Sequence, residues 1–103
     1  MTKAEIHPGR CEHVAKVRVQ MLENDLCSVE LESECHQMQL LASRVAVVNP
    51  DDEINQGSSR ILAQACRCCH HTSCPIPVAL IRAVEIESGM DLSGDIDMHF
   101  ERA

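Results

Sequence analysis

Aromatic side chains are almost missing: Phe100 stands alone, and 103 residues include no Trp and no Tyr. Any core must therefore be packed from Val, Ile, Leu, Met and Ala, and it is small enough for a bound metal to add useful stability. Basic residues are few, nine against sixteen acidic ones, for a formal net charge of −7. They are scattered and form no stripe, which argues against a nucleic-acid backbone as partner. No apolar run has the length of a bilayer span, so no membrane partner is expected. Residues Met1 to His7 contain no apolar h-region of a secretory signal. A cytoplasmic protein is expected, in a compartment where thiols stay reduced. Internal repeats, low-complexity segments, Ser/His/Asp arrangements and paired carboxylates are likewise missing, and whether the chain is an enzyme is left open. The length suits one small domain over residues 1–103.

What the chain does have is cysteine. Seven are present, and four crowd into Cys66-Arg67-Cys68-Cys69-His70-His71-Thr72-Ser73-Cys74-Pro75. A cluster this dense means a disulfide framework, a metal centre or a reactive thiol. The odd count and the reducing compartment disfavour disulfides.

Periodicity places these thiols on a scaffold. Ala15, Val17, Val19 and Met21 alternate with Lys16, Arg18 and Gln20, which predicts a half-buried strand within residues 13–22. After the turn Glu23-Asn24-Asp25, a second strand puts Cys27, Val29 and Leu31 on one face and Ser28, Glu30 and Glu32 on the other. The basic outer face of the first strand then meets the acidic outer face of the second. The period next changes: Ser33 is an N-cap, Cys35 enters the first turn, and Met38, Leu41, Ala42 and Val45 form a helical stripe. Residues 49–57 read as a loop, with Asp51, Asp52 and Glu53 a solvated turn. Ser58 or Ser59 caps a second helix, whose Ile61, Leu62, Ala65, Cys66 and Cys69 share a face. Pro75 opens a third helix that turns Leu80, Ile81 and Val84 inward and stops at Gly89, with Val84–Glu87 as a competing strand. Asp95 to Glu101 alternate as a last strand, with Ile96, Met98 and Phe100 inward. The order β-β-α-α-α-β implies a two-layer α+β domain. Its antiparallel sheet, the N-terminal hairpin plus the C-terminal strand, carries about three helices on one face. The apolar edge of that last strand leaves pairing with a second copy, or with another protein, as an open partnership.

Cys35 and Cys74 both fall at or near helix N-termini, where backbone N–H groups and the helix dipole lower a thiol pKa. Cys69 lies five positions before Cys74 across a helix–helix turn, with His70 and His71 between them, and Cys11 lies in a turn-like segment before the first strand. Three segments thus bring thiolates toward one end of the sheet, a reasonable setting for a tetrahedral soft-ligand site. The spacing lacks the paired C-x-x-C knuckles of many zinc sites, so packing roles compete: Cys27 as a small apolar residue on the inner strand face, and Cys66 on its helix. His7, His13 and His36 are expected to face solvent. Residues 66–70 also match C-x-x-C-H, the haem attachment signature, but export and a lining of aromatics are both lacking.

Several pieces occur in a telling order: Ile6-His7-Pro8-Gly9-Arg10-Cys11, Glu32-Ser33-Glu34-Cys35, His71-Thr72-Ser73-Cys74-Pro75-Ile76-Pro77, then Leu80 to Gly89. This pattern resembles a family of small uncharacterised cysteine-containing proteins from anaerobic bacteria and archaea, with N-P-G-x-C, S-D-C and H-x-S-C-P-V-P segments. The resemblance implies a metal site of Cys11, Cys35, Cys69 and Cys74, with His71 as a fifth participant and zinc or an iron–sulfur cluster as cofactor. The anaerobic setting favours iron–sulfur. Glu12-His13 replaces the family's Gly-Phe, and the added Cys66 and Cys68 leave open which cysteine of that group takes part. Besides ligation, His70 and His71 could act as outer-shell donors. A second likeness, a Cys-Pro at a helix start after a cysteine-bearing helix, is similar to thiol peroxidases of the osmotically inducible/organic hydroperoxide resistance type. It implies Cys74 as reactive thiol and Cys69 as resolving thiol, though the chain is short for that fold.

Overall fold

A computed structural model describes residues 1–9, 11–55, 57–69 and 71–102. The expected hairpin is present as β2 (Ala15–Met21) and β3 (Cys27–Ser33), with Val17 across from Leu31 and Met21 across from Cys27. Its register follows from burial: Ala15, Val17, Val19, Cys27 and Val29 all lie in the core, so a one-residue slip would turn them to solvent. On the open face Arg18 meets Glu30 at 3.8 Å and Lys16 sits across from Glu32, the cross-strand charge pairing the sequence predicts.

The sheet has four antiparallel strands in the order β1-β2-β3-β4. Two of them correct the sequence reading. β1 (Thr2–Ile6) occupies the edge beside β2, and the two-residue β4 (Val47–Val48) pairs with Cys27 and Ser28. The expected C-terminal strand does not form. Residues 92–102 lie in no strand and are exposed throughout, with Ile96, Met98 and Phe100 48%, 62% and 90% exposed.

Among the described residues there are four helices, where about three were expected: α1 (His36–Arg44), α2 (Pro50–Glu53), α3 (Arg60–Cys68) and α4 (Ile76–Glu87). Helix α1 packs on β3, α4 packs on β1 and β2, and α3 packs against both of these helices. The result is an α+β arrangement with the helices over the face that carries the buried strand residues. One apolar cluster joins the layers through Val17, Val19, Met38, Leu41, Ile61, Ile76, Leu80 and Val84.

Local chemistry fixes the helix ends. Ser59 caps α3 by accepting from the Leu62 N–H at 3.1 Å. The stripe of α3 that enters the core is Ile61, Ala65 and Cys68, spaced by four and three, so Cys66 is exposed and does not share that face. The strand alternative at Val84–Glu87 loses to helix α4, whose end is fixed by Gly89 at φ +82°. The Gly89 N–H donates to Ile86 O and the Met90 N–H to Glu85 O, at 3.2 and 2.8 Å, the paired bonds of a Schellman cap.

Two carboxylates hold segments together. Glu53, expected in a solvated turn, is 2% exposed and accepts from the Ser59 hydroxyl at 2.6 Å and from the Arg60 and Ile61 N–H groups at 3.0 and 3.2 Å. At the far end of α4, Glu87 accepts from Thr2 Oγ1 at 2.8 Å and from the Met21 N–H at 3.3 Å, and pairs with the Met1 ammonium at 3.3 Å. Burial pushes the Glu87 carboxyl up, but these donors outweigh it and hold it below its ordinary value. Among the described residues, no helix is long and apolar enough to cross a membrane.

Candidate functional site

The sheet register determines which loops meet. Ile6 pairs with Ala15 and Ala15 with Ser33, so the β1–β2 loop with Cys11 and the β3–α1 junction with Cys35 lie at the same end of the sheet. Helix α4 is anchored at its C-terminal end to Thr2 and Met21, the opposite end. Its twelve residues run back roughly 18 Å toward the first end. The α3–α4 turn, with Cys69 and Cys74, is thereby delivered to Cys11 and Cys35.

Each thiol has a defined local setting. Cys11 is exposed in a turn closed by the Glu12 N–H to Gly9 O bond of 3.1 Å, with Gly9 at φ +83°. Cys35 is half-buried and occupies the N-cap of α1 rather than its first turn, its N–H donating to Ser33 Oγ at 3.1 Å. Cys69 is half-buried and is the C-cap of α3, its N–H donating to Ala65 O at 2.8 Å. Cys74 is half-buried in the turn before Pro75, which is the N-cap of α4 rather than its first residue. Its N–H donates to His71 O at 3.1 Å. His71 itself is exposed in that turn, and His70 lies outside the described residues.

The electrostatics show the cysteines to be neighbours. Burial pushes the Cys69 thiol up to about 11, with further upward pressure from Cys74, Cys68, Cys35 and Cys66. Burial also raises Cys74, partly offset by the Ile76 N–H that reaches its sulfur, and Cys11 and Cys35 raise it further. The lowering expected for Cys74 at a helix start is thus outweighed by desolvation. Cys74 thus feels Cys11 and Cys35, and Cys69 feels Cys74 and Cys35, although these residues come from distant parts of the chain. Among the described residues, no three His, Cys, Asp or Glu side chains stand close enough as placed to hold a metal ion.

The remaining cysteines differ. Cys27 is buried, donates from Sγ to Met21 Sδ at 3.2 Å and packs as the small apolar residue the strand pattern implies, its pKa raised by burial and by Glu87. Cys68 is buried and Cys66 exposed; all seven are free thiols. Sequence reasoning chose Cys69 while leaving the part of Cys66 and Cys68 open, and it put Cys66 on the packing face, where the α3 stripe places Cys68 instead. It also missed the Ser33 hydroxyl as the group that orients Cys35 through its N–H.

A small α+β domain with clustered free thiols at one sheet end is the class this arrangement defines. The chain belongs to the family of unknown function DUF6951, whose model matches residues 2–100. No curated protein and no solved structure matches it.

Proposed function

We propose that the protein binds a soft metal, zinc or an iron–sulfur cluster, through thiolates of Cys11, Cys35, Cys69 and Cys74. The observation that carries the reading is the convergence of three cysteine-bearing turns on one end of the sheet, two through the strand register and the third through the anchoring of α4. Burial and neighbouring thiols make Cys69 and Cys74 harder to ionise. A bound cation reverses that penalty and favours the thiolate at every position. Soft sulfur donors select zinc or iron–sulfur over hard cations. A closed four-thiolate site serves structure or electron transfer, because hydrolytic zinc keeps an open position. His71, exposed beside Cys74, is an outer-shell donor or a fifth participant. The likeness to proteins of anaerobes favours the cluster, and seven free thiols fit a cytoplasmic setting.

The competing reading makes Cys74 an attacking thiol and Cys69 its resolving partner. It requires a readily ionised Cys74, and burial opposes that. The test is elemental analysis with an absorption spectrum of protein purified without oxygen. Stoichiometric zinc, or iron with sulfide and visible absorption, is expected, reduced by Cys35→Ser and Cys74→Ser and retained by Cys66→Ser. Metal-free protein whose melting temperature ignores chelators would sink the proposal. Cys74 reacting with peroxide faster than a free thiol would favour the redox reading instead.

A further inference from the structure

The segment after α4 has the pattern of a strand without a place in the sheet. Ile96, Met98 and Phe100 alternate with Asp95, Asp97, His99 and Glu101, and all are exposed. Three large apolar side chains with period two are the signature of a half-buried strand, and exposing them is unfavourable. The segment also lies within the family match of residues 2–100, to position 100, so it is part of the same module as the sheet.

The same molecule carries an edge that fits it. Among the described residues β1 pairs only with β2, leaving its other side open, and its inward residues Thr2, Ala4 and Ile6 are small or only half-buried. Outward, β1 and the residue after it read Lys3, Glu5, His7. Setting His99 beside Glu5 brings acidic residues of the segment beside both Lys3 and His7, in either strand direction. In that register Met98 and its apolar neighbours fall over Ala4 and Ile6 or Thr2. Phe100 or Met98 then lies beside the small Ala4, and Lys3 faces a carboxylate, Glu101 or Asp97. The other edge of the sheet is unsuitable: it is the two-residue β4, too short to pair along a seven-residue arm.

We infer that residues 95–101 form an arm that adds as a strand to β1 of a second copy of this chain, giving a reciprocal two-fold dimer. The arm is not seated on its own β1: its apolar side chains face solvent, Phe100 at 90%. A second copy offers the identical edge, and exchange of both arms uses both edges and closes the assembly.

Light scattering on the full chain at tens of micromolar, with reductant to exclude disulfide links, reads the result directly. The expected mass is twice the 11.4 kDa of the chain, with slowed amide exchange across residues 96–100. Met98→Asp is expected to give a monomer with unchanged helical circular dichroism. His99→Glu, which sets two carboxylates side by side, is expected to weaken the dimer by about tenfold or more, and adding Glu5→Lys to restore it. A monomeric wild type, with the arm protected or not, overturns the inference. So does a Met98→Asp protein that remains dimeric, or a double variant that fails to recover.

Discussion

At Glu53 a carboxylate with 2% exposure accepts one hydroxyl and two backbone N–H groups at the start of α3, where the helix dipole also favours negative charge. Glu53→Ala strands those donors and is expected to destabilise the fold by about 3 kcal/mol. A urea midpoint that falls at constant slope would show it, and a midpoint unchanged from wild type would refute the capping role. Thiol burial makes a second prediction at this scale. An unfolded thiol ionises near 9.0 and the Cys69 thiol of the folded protein near 11. Between those values the unfolded chain has lost its proton first. Stability of metal-free protein should therefore be full below 9.0 and fall as pH rises toward 11, with Cys69→Ala flattening part of the fall. Unfolding curves collected across that interval decide it. Neither Glu53 nor the raised Cys74 was legible in the sequence. Both depend on burial by segments far away in the chain, which no local pattern encodes.

Elements with strong periodicity were readable. The β2–β3 hairpin and the stripe of α1 follow from alternation and from the change of period, and the core residues Val17, Val29, Met38 and Leu41 are where those patterns put them. β1 was not readable, because Thr2, Ala4 and Ile6 give too weak an apolar signal against Lys3 and Glu5. Residues 95–101 show the reverse: a strong strand pattern with no strand formed within the chain, since alternation encodes the two faces of a strand and not the partner it pairs with. The stop of α4 was legible at Gly89 for a sound reason, its left-handed backbone. Nothing lies within 4 Å of the position a Cβ would take, so Gly89→Ala carries conformational strain alone. A loss of about 1 kcal/mol is expected, measured as a lower melting temperature with the α4 helix retained.

For the molecule as a whole, the site was legible as a list of residues and not as a geometry. Cys11, Cys35 and Cys74 could be suspected of meeting because each borders a strand or a helix. That their segments share one end of the sheet depends on β1, which sequence reasoning overlooked, and on the anchoring of α4 to Thr2 and Met21. The added cysteines could be sorted only once α3 was seen to bury Cys68 and expose Cys66.

The bond from Thr2 to Glu87 joins positions 85 apart. A nascent chain leaving the ribosome makes its first strand long before the carboxylate that clamps it exists. β1 must then wait, loosely held, while the hairpin and three helices emerge. The α3–α4 turn, needing α4 in its final position, reaches the end of the sheet that carries Cys11 and Cys35 last, so that end of the molecule is completed at the close of synthesis rather than at its beginning.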